Sequence, residues 1–384
     1  MAVVGDSQPA WAQFPWIQAA LALPEGRFTL LRLPGVLDAR PATECLVRAL
    51  RLVREPEALV MGTGLVATAL WAALQGVTVT CALDSRAEAL SLEATFAFQR
   101  LPLPELHVSA DFEWAREARY PLVLLHLPRG EDLQEELLRV AAAVLRPGGR
   151  LYAVGATREG VRGALTLAQR LFGQAGVVTR KGGYHTLMAI RPEGNFPLPQ
   201  VAWTRQALSV DGKPALLESC PGVFAAGRLD DGAAALIAGM QIAPGQRALE
   251  LGCGTGLVAL AALRRGAQIT AVDVSARAVE ATRRTLHANG FAAAEVLLSY
   301  GAERVTPGTF DVVLTNPPFH AGYDVDFEVV KLFINDAARS LRAGGRLFLV
   351  ANAFLPYETW LNEVFSTSEV VYHDGRFRVW SARR

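Results

Sequence analysis

The fold and the chemistry of this chain are decided by the stretch Asn316-Pro317-Pro318-Phe319-His320. The apolar run before it predicts a buried strand that ends at the asparagine. Because proline has no N–H, the two prolines remove two backbone donors that would repel an incoming amine. The Asn316 side-chain oxygen and the Pro317 carbonyl can accept both hydrogens of a planar amino group, and the ring of Phe319 can stack on the ring that carries the amine. The stretch therefore predicts an –NH₂ clamp, with a purely structural turn as the alternative.

A second ligand-binding turn is predicted upstream of the clamp. An apolar strand pattern containing Glu250 runs into a turn in which Gly252, Gly254 and Gly256 alternate with other residues, and an apolar helix pattern follows. Glycine lets the backbone turn tightly and approach a ligand closely. The next predicted strand ends in Asp273, where a carboxylate can accept from the two hydroxyls of a ribose. The order of these elements predicts a nucleoside-bearing cofactor at the carboxyl ends of the strands.

The spacing of the glycines separates two cofactor classes. Dinucleotide sites use G-x-G-x-x-G, whereas this turn has G-x-G-x-G preceded by Glu250. An acid beside the turn opposes a pyrophosphate but suits a cationic ligand. S-adenosylmethionine (AdoMet) carries both a sulfonium and an ammonium group. The turn, the ribose acid and the clamp, in that order, therefore predict AdoMet.

With these motifs the chain resembles class I AdoMet-dependent methyltransferases. Within that class it is similar to the bacterial small-subunit (16S) ribosomal RNA guanine-N2 methyltransferases, which have two tandem methyltransferase domains. The likeness rests on His320 and Gly322 after the clamp, on the Gly-Val-Phe sequence at 222–224, and on Asp230 with Gly232. It covers the second half of the chain well and the first half mainly in architecture.

The resemblance implies a role for each motif. Asp273 is expected to hold the ribose and Val274 to lie beside the adenine, while Gly301 and Ala302 frame the adenine without the acid usual there. The implied cofactor-binding residues are Glu250, Gly252, Gly254, Gly256, Asp273, Val274, Gly301, Ala302 and Asn316. The implied catalytic residues are Asn316, Pro317 and Phe319, and the implied substrate-binding residues are Asn316, Pro318, Phe319 and His320.

The two halves of the chain repeat each other in order and spacing. The sequence G-T-G-L-V-A occurs at 62–67 and again at 254–259, each time between a strand pattern and a helix pattern. Leu-Arg-x-Gly-Gly-Arg-Leu occurs at 145–151 and at 341–347. Each half ends in two strand-like runs around a glycine turn. A tandem duplication of one α/β unit is therefore predicted.

The predicted fold class is α/β, with two tandem Rossmann-like methyltransferase domains. Each has a mostly parallel sheet closed by a C-terminal antiparallel hairpin, and the class resemblance implies seven strands per sheet. The predicted domains are 1–190, a degenerate and non-catalytic copy, and 201–384, the catalytic AdoMet-binding domain. Residues 191–200 are rich in proline and predict a linker.

The first copy differs where the chemistry is expected. When the halves are matched motif by motif, Ala58 replaces the cofactor acid, Val60 replaces one turn glycine, and His126 and Leu127 replace the first two residues of the clamp. We therefore expect no catalysis and no AdoMet binding there, and a role in RNA positioning or in stabilising the second domain. The alternative is a different active site formed by His126 and Asp84.

Length, charge and cysteine content limit the number of domains, the cellular compartment and the partners that can be expected. A chain of 384 residues with a net charge of +1 suits two ordinary domains and gives no strong nucleic-acid signature. The four cysteines are scattered and form no C-x-x-C pair, which argues against a metal site and for the reducing cytosol. The N-terminus lacks the pattern of a signal peptide. A cytoplasmic monomer without a membrane segment or metal is expected.

The expected reaction is methylation of the exocyclic N2 of a guanine in 16S rRNA, with the free RNA or the small ribosomal subunit as partner. Asn-Pro-Pro-aromatic motifs also occur in enzymes that methylate adenine N6 in DNA or a glutamine side chain in release factors. Glutamine methylation is therefore the alternative enzymatic function. A non-catalytic, AdoMet-binding RNA assembly factor is the alternative outside catalysis, although the second-half motifs are intact.

Overall fold

The structure is a computed structural model that describes residues 14–23, 26–50, 55–225, 227–318, 320–321, 324–325, 327–353 and 355–384. The chain divides into two compact units, of which the first consists chiefly of residues up to 199 and the second chiefly of residues from 200. Among the described helices, none is long and apolar enough to span a bilayer.

The first unit begins with a two-stranded hairpin and a helix and continues as an alternating α/β unit. Its strands are β1 (Ile17–Leu23), β2 (Gly26–Arg32), β3 (Glu57–Gly62), β4 (Thr78–Leu83), β5 (Glu105–Val108), β6 (Tyr120–His126), β7 (Leu145–Ala156), β8 (Ala175–Lys181) and β9 (Tyr184–Ile190). Its helices are α1 (Arg40–Ala49), α2 (Val66–Leu74), α3 (Arg86–Phe98), α4 (Glu131–Val144) and α5 (Val161–Phe172).

The second unit repeats this order. Its strands are β10 (Thr204–Val210), β11 (Lys213–Ser219), β12 (Arg247–Leu251), β13 (Gln268–Asp273), β14 (Glu295–Leu298), β15 (Phe310–Thr315), β16 (His320–Ala321), β17 (Asp324–Val325), β18 (Leu341–Asn352), β19 (Thr367–His373) and β20 (Phe377–Arg383). Its helices are α6 (Asp231–Gly239), α7 (Leu257–Arg264), α8 (Ala276–Ala288), α9 (Phe327–Ser340) and α10 (Tyr357–Val364).

Each unit has a seven-stranded sheet with the same topology. The strand orders are β5-β4-β3-β6-β7-β9-β8 and β14-β13-β12-β15-β18-β20-β19. The first five strands of each order pair in parallel, and the last two add an antiparallel hairpin. The predicted fold class is confirmed, including the terminal hairpins around Gly182 and Gly375. In both sheets the order reverses beside the first parallel strand, where ligands bind in open α/β sheets.

Apolar side chains bury the central strands on both faces, as a parallel sheet requires. In β12 the side chains alternate between two apolar clusters: Ala248 belongs to one, whereas Leu249 and Leu251 belong to the other. Glu250 is the exception in this strand, since it is an acid that is only 4% exposed. A charged side chain in such a place is costly, and this marks it as a functional candidate.

The hairpin β10–β11 shows how local sequence sets one boundary. Asp211 and Gly212 both have positive φ, +55° and +72°, as the two-residue hairpin turn of type I′ requires. The Asp-Gly pair is a local sequence signal for this hairpin. The corresponding hairpin β1–β2 of the first unit carries no Asp-Gly turn, and neither it nor helix α1 was predicted from the sequence.

Candidate active site

The glycine turn lies between β12 and α7, at the carboxyl edge of the second sheet. The amides of Gly252 and Cys253 both donate to the Val272 carbonyl, at 2.9 and 3.0 Å, which ties the turn to β13. Gly256 has φ +79°, and a Cβ there would lie 2.9 Å from Thr282 Cγ2. Gly254 has φ +54° and open space where a Cβ would be. The turn is therefore packed on one side and leaves room for a ligand over Gly254.

Cys253 lies inside this turn but is not placed as a nucleophile. Its side chain is 4% exposed, and Thr282 Oγ1 lies 3.2 Å from its Sγ. Burial, and then the acids nearby, raise the pKa of the Cys253 thiol well above its usual value. A buried protonated thiol is a poor nucleophile, which leaves Cys253 as a small packing residue.

Glu250 lies beneath the turn. Its Oε2 is buried and has no hydrogen-bond partner in the described structure. Burial raises the pKa of Glu250 well above the usual value of a carboxyl group, against the effect of a hydrogen bond from the Ala259 amide and with a smaller contribution from Asp273. A buried acceptor without a donor is costly, so this carboxyl group is suited to a cationic ligand.

Asp273 ends β13, beside the same turn. Its Oδ2 accepts from the Gly254 amide and its Oδ1 from the Ser275 amide, both at 2.9 Å. Burial nevertheless raises the pKa of the Asp273 carboxyl group. Each oxygen keeps a further lone pair, and Val274 next to it is half-buried. The structure thus brings the predicted ribose acid against the glycine turn.

The predicted adenine frame is occupied by a contact that the sequence analysis missed. Asp336 of α9 accepts from the Ala302 amide at 2.7 Å, and Ala302 is fully buried. A Cβ on Gly301 would lie 2.0 Å from Asp336 Oδ2. Gly301 therefore makes room for a protein carboxylate, and the amide of Ala302 is already used. Their predicted contact with adenine stays a prediction.

A second residue of α9 reaches the cofactor turn. A Cβ on Gly252 would lie 3.2 Å from Cε1 of Phe333, so the ring packs directly on the turn. The helical pattern of α9 places Phe333 with other apolar residues. No motif marks it, so only the tertiary contact identifies it as part of the site.

The clamp asparagine is held by Asp230. Asn316 Nδ2 donates to Asp230 Oδ2 at 3.0 Å, and the same oxygen accepts from the amides of Gly232 and Ala233 at 2.9 and 3.2 Å. Asp230 is the N-cap residue of α6. Because the carboxylate accepts the NH₂ group of Asn316, the Oδ1 atom of Asn316 is left for another donor. This is the polarity that an amine clamp needs.

The remaining clamp residues are placed in part. Pro317 is buried and Pro318 is exposed. Phe319 lies outside the described residues, as do Gly322 and the side chain of His320. The backbone of His320 belongs to β16, which pairs with β17. The predicted stacking by Phe319 stays a prediction.

The basic residues near the C-terminus lie at two different ends of the second sheet. Arg376 Nη1 pairs with Asp231 Oδ2 at 2.9 Å, next to Asp230, and its side chain is 73% exposed. Arg378 pairs in the sheet with Ala351, at the carboxyl end of β18. Arg383 pairs with Arg346 near the beginning of the parallel ladder of β18. Only the first two therefore lie at the edge of the sheet that carries the clamp.

Comparison with known proteins now gives the family. Residues 215–381 match the model of the methyltransferase small domain. The ribosomal RNA small subunit methyltransferase C of Chromohalobacter salexigens is 39% identical over 72% of this chain and 82% of its own length. That of Hahella chejuensis is 33% identical over 73% and 80%. The chain belongs to the ribosomal RNA small subunit methyltransferase C family.

A solved structure extends the likeness to both halves. The T. thermophilus 16S rRNA N2 G1207 methyltransferase, in complex with AdoMet and guanosine, has a TM-score of 0.82 and is 30% identical. The match covers 96% of this chain and 98% of that one. The resemblance drawn from the motifs is thereby confirmed, and the tandem architecture is shared over nearly the whole length.

The register of the sheets corrects the motif-by-motif comparison of the two halves. Leu59 pairs with Val123 as Leu249 pairs with Val313. Counting along the strands from these pairs places Val60 at the position of Glu250, not Ala58. Likewise, Gly62 corresponds to Gly252, and Leu83 corresponds to Asp273, with Asp84 one residue further along the chain. The sequence comparison was wrong here because three residues separate β3 from α2, whereas five separate β12 from α7.

The clamp position of the first unit is buried. His126 is 3% exposed, its Nε2 lies 2.7 Å from Thr68 Oγ1, and that hydroxyl lies 3.0 Å from Thr43 Oγ1. Burial lowers the pKa of His126 to about 4. Leu127 donates its amide to Val154 and continues the sheet, which a proline cannot do. The buried side chain of His126 is therefore not accessible to a substrate.

Proposed function

We propose that this chain transfers a methyl group from AdoMet to the exocyclic N2 of a guanine in 16S rRNA, and that its second unit alone is catalytic. The observation that carries the proposal is the orientation of Asn316, whose NH₂ group is bound to Asp230. An asparagine held in this way presents an acceptor to an incoming amine. Membership of the family makes RNA the substrate class and disfavours the glutamine-methylating alternative.

The residues at the carboxyl edge fit AdoMet. The buried and unpartnered Glu250 Oε2 suits an ammonium group, the space over Gly254 admits a ligand, and Asp273 has lone pairs for ribose hydroxyls. When bound, AdoMet supplies an electrophilic methyl group on a good leaving group. The protein then has mainly to position the amine.

The nitrogen N2 of guanine is a poor nucleophile because its lone pair is delocalised into the ring. Asn316 Oδ1 and the Pro317 carbonyl would accept its two hydrogens and favour a pyramidal nitrogen, which frees the lone pair. Positive charge develops on this nitrogen, so fixed acceptors stabilise the transition state more than the ground state. The methylated nitrogen is strongly acidic and gives its proton to water. A guanine within a duplex must first be extruded.

The first unit would not bind AdoMet. At the register positions of the cofactor acid, the ribose acid and the clamp asparagine it has Val60, Leu83 and His126. Its role would be to position RNA or to stabilise the second unit. Calorimetric titration with AdoMet should give one site per chain. Two sites of similar affinity would contradict this part of the proposal.

The whole function is tested by transfer of labelled methyl from AdoMet to naked 16S rRNA and to small subunits that lack the modification. Nucleoside digestion and mass spectrometry identify the product. N2-methylguanosine is expected, and the better substrate shows whether the enzyme acts before or after assembly. Label confined to protein, or no label at all, would reject the proposal. Light scattering tests the accompanying expectation of a monomer, and fractionation tests a cytoplasmic location.

A further inference from the structure

We infer that Asp230 and Gly232 are positioning residues for methyl transfer, and that they fix the amide of Asn316 in the one orientation that can accept an amine. The inference rests on the proposed function for its kinetic consequences, but its structural part stands independently. Asp230 lies 86 residues before Asn316 in the chain, and the fold brings the two side chains into contact.

The chemistry of the pair decides the orientation. A carboxylate can only accept, so the atom of Asn316 that lies 3.0 Å from Asp230 Oδ2 is the NH₂ group. A rotated amide would bring Oδ1 against a carboxylate oxygen and present NH₂ to the substrate, where it would repel the guanine amine. Without Asp230 the two orientations of the amide would differ little, and part of the enzyme would be unable to accept substrate.

Gly232 controls the distance between the two groups. A Cβ at this position would lie 3.0 Å from Asp230 Oδ2 and 3.1 Å from both terminal atoms of the Asn316 amide. The absence of a side chain therefore lets the asparagine amide lie against the first turn of α6. No positive φ is found at Gly232, so the backbone conformation does not require glycine. The close approach of Asn316 does.

Helix capping is the competing explanation for Asp230, because its Oδ2 also accepts from the Gly232 and Ala233 amides. Serine, asparagine and aspartate are all good N-cap residues. The side-chain oxygen of serine is bonded to Cβ, whereas those of aspartate and asparagine are bonded to Cγ. Only the two longer side chains can therefore cap the helix and also reach Asn316. The substitutions Asp230→Ser and Asp230→Asn therefore separate capping from positioning, since both should keep the cap and only the second should keep a partner for Asn316.

The kinetic experiment compares these variants in the full chain with 16S rRNA as substrate. For Asp230→Ser we expect kcat to fall by about 10- to 100-fold, the scale of a misplaced reacting group, with the melting temperature and the Kd for AdoMet unchanged. Asp230→Asn should retain the larger part of kcat. Gly232→Ala should also lower kcat, although alanine favours the helix more than glycine does. Equal rates for Asp230→Ser and the unchanged protein would overturn the inference.

A double-mutant comparison excludes an effect that does not pass through Asn316. In an Asn316→Ala background, Asp230→Ser should cause no further loss of rate. Additive losses would overturn the positioning role even if each single variant were impaired.

A spectroscopic test does not need the reaction. The side-chain ¹⁵NH₂ resonances of Asn316 are assigned by their absence from the spectrum of Asn316→Ala. They should shift in Asp230→Ser and stay near their original place in Asp230→Asn. If the unchanged protein gave no N2-methylguanosine but Asp230→Ser showed this shift, the proposed function would fail while the orientation by Asp230 stood. If the Asn316 resonances kept the same chemical shifts in both variants, the inference itself would be rejected.

Discussion

The two clamp positions of this protein occupy equivalent places in equivalent sheets and have opposite surroundings. Asn316 is half-buried, with its NH₂ group bound to Asp230 at the start of α6. His126 is closed into the core by Thr68, which in turn contacts Thr43 of α1. The same topology therefore supports a surface directed at a ligand in one copy and a packed interior in the other. A fold provides the position, and the side chains decide whether it is a site.

The largest expected effect separates these two positions. Asn316→Ala removes one of the two acceptors for the amine and should lower kcat by about 10²–10³-fold, as for the loss of one donor of an oxyanion hole. His126→Ala should leave kcat unchanged and lower the free energy of unfolding by about 1–3 kcal/mol, because it removes one of the two hydrogen-bond partners of the buried Thr68 hydroxyl. Methyl-transfer rates and thermal melts check both. A loss of kcat in His126→Ala at a temperature where the variant is folded would contradict a purely structural role of His126.

The first glycines of the two G-T-G sequences, Gly62 and Gly254, should respond differently to alanine, although the sheet register pairs Gly62 with Gly252. A Cβ on Gly62 would lie 1.9 Å from the His126 carbonyl oxygen. Gly62→Ala should therefore destabilise the first unit by about 3 kcal/mol. Gly254→Ala meets no protein atom and should cost only about 1 kcal/mol for its left-handed backbone.

The two glycine variants also differ in what they do to the cofactor. Because Gly254 borders the open space of the turn, its alanine variant should weaken AdoMet binding, whereas Gly62→Ala should not. Calorimetry gives the Kd and thermal melts give the stability. Loss of AdoMet affinity in both variants at equal folding would show that both turns hold the cofactor.

The stability of the protein should depend on pH through Glu250, whereas its register counterpart in the first unit, Val60, cannot ionise. Its pKa is raised in the folded protein by burial, so folding is favoured when the carboxyl group is protonated. Below the ordinary pKa of glutamate both states are protonated and no difference arises. As pH rises towards the raised pKa the unfolded state ionises first, and stability is lost. Glu250→Gln should therefore gain stability relative to the unchanged protein with rising pH. A difference independent of pH in urea titrations would contradict a raised pKa of Glu250 in the folded protein.

The smallest effect compares the two edges of the second sheet. Arg376 lies at the clamp edge and Arg383 near the opposite edge. Arg376→Ala should weaken RNA binding modestly and reduce the slope of log K against log salt by about 1, as for one lost phosphate contact. Arg383→Ala is the matched control and should change neither. Equal effects of the two substitutions would place the RNA away from the clamp edge.

The places of the candidate site residues in the fold were predictable because they depend on local sequence. Strand and helix patterns around Glu250, Asp273 and Asn316 set each of them at a carboxyl end, and parallel strands bring those ends to one edge. The turn between β10 and β11 was equally local, since Asp211 and Gly212 accept positive φ. The duplication was visible for the same reason: periodicity and glycine spacing repeat in the one-dimensional sequence.

The register of the first sheet was not predictable from the aligned letters. Matching the two G-T-G-L-V-A sequences cannot show that the turn after β3 is two residues shorter. Extending that match back into the strand places the expected cofactor acid at Ala58, whereas the sheet register places it at Val60. The register is defined by which residues pair between neighbouring strands, and this pairing is known only once the sheet is assembled.

By itself, the sequence determined the fold class, the tandem repeat and the cofactor class, since each depends on residue types at fixed short spacings. The tertiary structure alone decided which side chains complete the site. Asp230 contacts Asn316, Asp336 takes the Ala302 amide, and Phe333 packs on Gly252, all between elements far apart in the chain. Such contacts depend on packing in three dimensions, and no local pattern encodes them.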